Sequence, residues 1–289
     1  MSGREKKMEH SKKITIKVIL LIYIMLMSVR VMELLFVKTD QTWIGENIWQ
    51  KICCILMVGA ALGLMNLRWK GIGFTMEGLR KGVIYGLALG ISTFLLSYAA
   101  EFAVLFAMGK HPSLRFYVTN FSLSKTNVTG LSVFAVLVCI LGNIVNVWAE
   151  EGLFRGLFLN LGKRSFSQKG ANLIQAVLFG VWHITNVLTA VLDGSMSIGM
   201  AVFMGFGYVL LSGILAYEWG LCMALTGTIW TGAFEHFFNN FISNALHTVT
   251  ETGADEMMII RITLSNILSL TFVVLISRFA KKKKHSEIC

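Results

Sequence analysis

Glu150-Glu151-Gly152-Leu153-Phe154-Arg155 sets three charges inside an apolar stretch that runs from Val128 almost to Gly162. About 35 residues at ~1.5 Å rise overshoot a ~30 Å hydrocarbon core, so this stretch is expected to tilt, kink or break, with Gly142 and Gly152 as candidate points. Ionisable side chains in such a setting are a functional-site hypothesis by default. Glu151 and Arg155, four apart, share a helical face and form the natural ion pair, because an unpaired buried charge is strongly destabilising. Glu150 lies one step around the helix, on the side of Asn143 and Asn146, and is left for a different partner.

The rest of the chain has the composition of a membrane protein. Of its 289 residues 55% are hydrophobic and 15% charged, proline occurs once, at Pro112, and mean hydropathy is +0.67. Apolar blocks recur at about 14–37, 48–67, 83–108, 128–162, 171–192, 198–217, 221–246 and 257–280. The expected fold is therefore an all-α polytopic transmembrane helical bundle of about eight spans, one integral membrane domain over 1–289. The first block is too long for a signal-peptide core and lacks a small-residue cleavage site, so it is expected to stay as a span.

Formal net charge is +10, with the basic residues clustered between apolar blocks and at both ends. Arg68, Lys70, Arg80 and Lys81, then Lys163, Arg164 and Lys169, fall in loops on the same side as both termini, which places all of these in the cytoplasm. The acidic loop 248–256 falls outside. Lys110, Arg115 and Lys125 dissent mildly, since they land on the external side. No basic face carries interleaved stacking aromatics, so the expected partners are the lipid bilayer and a membrane-associated substrate, with no nucleic acid. Short loops and basic termini point to a bacterial plasma membrane.

Cys53, Cys54, Cys139, Cys222 and Cys289 show no C-x-x-C spacing and read as small apolar residues, not a disulfide or zinc framework. Cys289 sits at the chain end, where a C-a-a-X box would need its cysteine four residues from the end. Two other charged positions inside apolar blocks read as structural. Arg30 and Glu33 can pair with each other or with a neighbouring helix, and Glu101 fits a helix–helix contact.

Two later blocks carry polar pairs at four-residue spacing. Gln175, Phe179 and His183 share one face of the fifth block, and His236 and Asn240 share a face of the seventh. A carboxylate in a low-dielectric pocket that admits water can act as a general base, with His183 as the second group on that water. His236 and Asn240 offer two donors for the oxyanion formed when water attacks a carbonyl. Two glutamates and two histidines also suit zinc, and Glu150, His183 and His236 would be its ligands; zinc and no metal both stay open.

The order Glu150-Glu151-x-x-x-Arg155, Phe179-x-x-x-His183, His236-x-x-x-Asn240, each on its own apolar block, resembles the CPBP family of intramembrane proteases. That family groups the type II CAAX prenyl endopeptidases with bacteriocin-processing and immunity proteins, and its members are often labelled metalloproteases. The resemblance covers about 131–246, the expected catalytic core. It implies an intramembrane endopeptidase in which Glu150 and His183 activate water, His236 and Asn240 form the oxyanion hole, and Glu151, Arg155 and Phe179 support the site. It departs at Phe234-Glu235-His236-Phe237-Phe238, where the family more usually has small or aliphatic residues around the histidine. The expected substrate is a membrane-associated or lipid-anchored peptide or protein, met at a site opening toward the cytoplasm. The contrasting expectation is a non-catalytic membrane scaffold or bacteriocin-immunity protein that keeps the motif as structural glue.

Overall fold

Each of the eight apolar blocks folds as helix. The computed structural model describes residues 3–42, 46–119, 132–192 and 194–286; Lys125, Val128, Leu131 and Cys289 lie outside them. In chain order come α1 (Gly3–Met32), which continues through a π-helical turn at Glu33–Val37, then α2 (Ile48–Leu64), α3 (Leu79–Ala107) and a short strand β1 (Ser113–Phe116). α4 (Val133–Glu150) passes into a π-helical stretch, Glu151–Phe158, and ends as α5 (Leu159–Gly162). α6 (Gln168–Trp182), α7 (Ile184–Leu192), α8 (Ile198–Thr226), α9 (Trp230–Ala245), strand β2 (Leu246–Val249) and α10 (Met258–Ser286) complete the chain.

Among the described residues, six helical rods are long and apolar enough to cross a bilayer: Lys7–Val37, Leu79–Ala107, Val133–Gly162, Gln168–Leu192, Ile198–Thr226 and Met258–Ala280. α2 and α9 are shorter, at 17 and 16 residues, or about 26 and 24 Å at ~1.5 Å per residue. The protein is an all-α transmembrane bundle whose outer faces are apolar, as at Leu95, Val202, Phe203 and Phe206. Serine caps begin three of the rods: Ser132, Ser167 and Ser197 accept from the backbone N–H of Ala135, Gly170 and Met200.

Three features depart from the sequence reading. The apolar stretch around the motif neither breaks at Gly142 nor at Gly152; the π-helical stretch absorbs the motif instead. The sixth block does not end at Tyr217 but continues to Thr226, and within it Gly220 packs so tightly on Asn172 that a Cβ there would overlap its side chain. The chain turns at Gly227, whose φ of +74° is glycine territory. Finally, β1 and β2 pair antiparallel with Arg115 opposite His247, inside segments that read as loops.

Close packing places the helix that carries His236. Gly86 and Gly90 of α3 lie against α9, where an added Cβ would come within 2.5 Å of the Thr231 carbonyl oxygen and 2.6 Å of the Phe238 ring. Behind α3, Glu101 pairs with Arg261 of α10 and accepts from Thr248, which is the helix–helix contact expected of it. Arg30 and Glu33 do not pair with each other. Glu33 accepts from the backbone N–H of Trp49 and Gln50, while Arg30 reaches α2 and α7.

The alternation of rods sorts the loops onto two ends. One end joins the start of α1 to the 163–167 turn, through Ser11 and Thr15 on Ser165 at 2.9 and 2.8 Å, and holds the Trp230 to Thr75 hydrogen bond. The other end holds the 38–47 loop and the β1–β2 clasp, extended by Thr119 N–H to the Asn244 carbonyl.

Candidate active site

Burial of the motif is complete: Glu150, Glu151 and Arg155 are 4%, 1% and 0% exposed. Charges so far from water persist only when something answers them. Arg155 Nε donates to Glu151 Oε2 at 2.7 Å, and its Nη2 pairs with Oε1. The guanidinium lies between two rings, 4.5 Å from the centre of Phe179 and 4.7 Å from that of Trp219. Phe179 thus touches the ion pair as well as sitting edge-on to Phe154 and beside His183.

α9 supplies the third member. His236 Nδ1 is 2.9 Å from Glu151 Oε1, and the ring stacks on Trp219 with centres 4.1 Å apart and planes 15° apart. One hydrogen bond and one stacked face fix the ring. Its other nitrogen, Nε2, is 3.6 Å from Glu150 Oε2. That oxygen is buried without a hydrogen-bond partner. Glu151 therefore holds both Arg155 and His236, a link that the four-residue spacings do not reveal.

His183 caps the end of α6, with Nδ1 on the Phe179 carbonyl at 2.9 Å, and this leaves its Nε2 free to face other groups. A cavity of about 530 Å³ brings these residues together, lined by Glu150, His183, His236, Asn240 and Phe179. Asn146 and Asn239 also line it, the latter donating to Asn266 at 2.6 Å. Glu151 and Arg155 stand behind the wall, outside the lining.

The lining also names residues that the sequence reading left aside. Trp219, which stacks on His236, and Arg30 both border the cavity. Glu218 lies within α8, fully buried, and accepts from Ser269 at 2.6 Å. Glu235 accepts from the Trp219 indole N–H, which turns it away from the cavity side of that ring. The signal for both was a carboxylate next to Trp219 or His236 in an apolar context.

The expected opening toward the basic end does not hold. Asp40, Glu46, Asn47, Tyr117, Thr119, His247 and Asp255 line the cavity, and all come from the end that carries the β1–β2 clasp. The lining includes no residue of the Arg68–Lys81 or Lys163–Lys169 segments.

A zinc site was the other chemistry open to these residues. Among the described residues no group of three or more His, Cys, Asp or Glu side chains converges as a ligand set. His236 has Nδ1 on Glu151 and His183 has its own on a carbonyl, which leaves Nε2 as the available nitrogen of each ring.

No curated protein matches the sequence. Residues 132–242, from the cap of α4 to within α9, match the model for type II CAAX prenyl endopeptidases of the Rce1-like kind.

Proposed function

We propose that this integral membrane protein is an intramembrane endopeptidase, in which a carboxylate-activated water cleaves a peptide bond of a membrane-associated peptide or protein. The observation that carries the reading is Glu150 Oε2, a buried acceptor without a partner at a cavity wall beside two histidines. Burying an acceptor unsatisfied is costly unless something occupies the space in front of it. A water there satisfies it and is placed for reaction.

In this reading Glu150, with His183 beside it, takes a proton from that water as the oxygen attacks the scissile carbonyl carbon. His236 Nε2 and the Asn240 amide donate to the oxyanion, and the proton held by Glu150 passes to the leaving amine. The Glu151 carboxylate at Nδ1 fixes the ring, so that Nε2 is the nitrogen turned toward Glu150 and the cavity wall. Arg155 and Phe179 act through Glu151 and the rings, as positioning residues. No step is routed through a metal.

With the basic loops and termini in the cytoplasm, the cavity opens to the opposite face of the membrane. A cysteine-scanning experiment tests that side directly: a membrane-impermeant thiol reagent applied to intact cells should label Thr119→Cys and spare Lys169→Cys. For the chemistry, Glu150→Gln and His183→Ala should each abolish peptide processing while the protein accumulates in the membrane at the wild-type level. Full activity in either variant would falsify the mechanism.

A further inference from the structure

Arg30 is 5% exposed, sits inside the first span and lines the same cavity as Glu150. Its guanidinium is held by neutral groups alone: Nε donates to Thr185 Oγ1 at 2.7 Å, Nη1 to Gln50 Oε1 at 3.3 Å and Nη2 to Asn186 Oδ1 at 3.1 Å. The indole of Trp182 lies beneath it, 5.0 Å away. Among the described residues no carboxylate forms an ion pair with it.

The other buried cations of the bundle are answered. Arg155 has Glu151, Arg261 has Glu101 and Asp255, and Lys51, which also lines the cavity, has Glu46. An arginine carries five N–H donors in a planar fork. Three of them are engaged here, and the residue is pinned on three sides, so the remaining donors are fixed in direction before any ligand arrives. A rigid, desolvated guanidinium that makes no ion pair, and shares its cavity with the Glu150 carboxylate as an electrostatic partner, is matched by a planar anion.

We propose that Arg30 is the specificity-determining anchor for a carboxylate of the substrate, either the free C-terminus of the peptide or an acidic side chain near the cleaved bond. The inference rests on the peptidase reading of the same cavity, and it adds which chemical group the substrate must present. Cavity-lining Asn186 receives one of the Arg30 bonds and keeps its amide N–H groups for the same anion. Because the anchor and Glu150 share one cavity of about 530 Å³, the carboxylate has to lie within a few residues of the scissile bond.

The test uses the full-length protein in detergent micelles, bearing Glu150→Gln to prevent turnover, and fluorescent farnesyl-cysteinyl tripeptide pools as probes. One pool has a free C-terminus and lacks Asp and Glu, a second is the same pool amidated, and a third is amidated but contains Asp and Glu. The expected result is roughly ten- to hundredfold tighter binding of the first pool over the second, the scale of a charge-assisted hydrogen bond. Recovery of tight binding by the third pool identifies the side chain as the source.

Arg30→Gln should abolish the discrimination and Arg30→Lys should retain part of it, with folding checked by the elution profile. Equal binding of the first and second pools with no gain in the third, or binding of none, overturns the proposal, and needs no Arg30 variant to do so. So does an Arg30→Gln protein that weakens all pools by the same factor, which is the signature of a structural arginine. Cleavage by the protein with native Glu150, measured in parallel, separates this outcome from failure of the peptidase reading.

Discussion

Two buried carboxylate–guanidinium pairs brace this bundle and differ in what they leave over. At the α3–α10 contact, Glu101 accepts from Arg261 with both oxygens and from Thr248, and Arg261 adds Asp255 and the face of Tyr98. Every carboxylate oxygen there has a donor. At the cavity, Glu151 also fills both oxygens, with Arg155 and His236, but the adjacent Glu150 keeps an oxygen open toward a space. Glu218 and Glu235 keep open oxygens too, yet neither lines the cavity. In the proposed reading a buried carboxylate is a candidate for chemistry when its unsatisfied oxygen faces the cavity, as at Glu150, and braces the bundle when partners close around it, as at Glu101.

The comparison can be broken first at Glu150. Its replacement by Gln should cost at least 10²- to 10⁴-fold in cleavage rate, the range of a lost general base, with a thermal midpoint no lower than wild type. Removing one partner of either pair comes next: Arg155→Met and Arg261→Met should each destabilise by about 3–5 kcal/mol, read by denaturation in detergent, because each strands a buried carboxylate.

The two pairs should then separate on double replacement. Glu101→Leu with Arg261→Met is expected to recover most of that stability and to leave cleavage intact, whereas Glu151→Leu with Arg155→Met recovers stability without activity, since His236 has lost its anchor. A smaller effect is expected at the α3–α9 contact. Gly86→Ala pushes a methyl against the Thr231 carbonyl, and about 1–3 kcal/mol of overpacking should appear together with a reduced rate as α9 shifts.

The smallest is the acid limb of stability. Burial pushes the Asp255 carboxyl up, but hydrogen bonds from His247 and Arg261 outweigh it and hold the group below the ordinary range. A lowered carboxyl contributes stability that is fully present above its unfolded value of ~3.9 and is lost as pH falls through the folded one. The thermal midpoint should thus fall only in strong acid on this account, and Asp255→Asn should make that acid limb shallower.

Much of this was legible in the sequence, and the exceptions have common causes. Apolar blocks announce helices because a bilayer leaves no other partner for backbone groups. Four-residue spacing announced the Glu151–Arg155 pair and the faces bearing Phe179 with His183 and His236 with Asn240. What spacing does not carry is contact between helices, so the bond from His236 to Glu151 and the stacking of Trp219 were not foreseen. The boundary near Tyr217 was misplaced because the packing of Gly220 on Asn172 lies between helices and is invisible in the sequence. The β1–β2 clasp was hidden because polar segments such as 113–116 pair by backbone, which composition does not register. Direction of opening failed for the same reason: which loops border a cavity depends on how the rods pack.

The π-helical stretch at Glu151–Phe158 bears on how such motifs are counted. Rings closed from i to i+5 accommodate one more residue than α-helical rings, and one residue inserted in this way shifts the phase of everything downstream by about 100°. Leu159–Gly162 consequently presents a different azimuth from the one that an unbroken α-helical ruler starting at Val133 assigns.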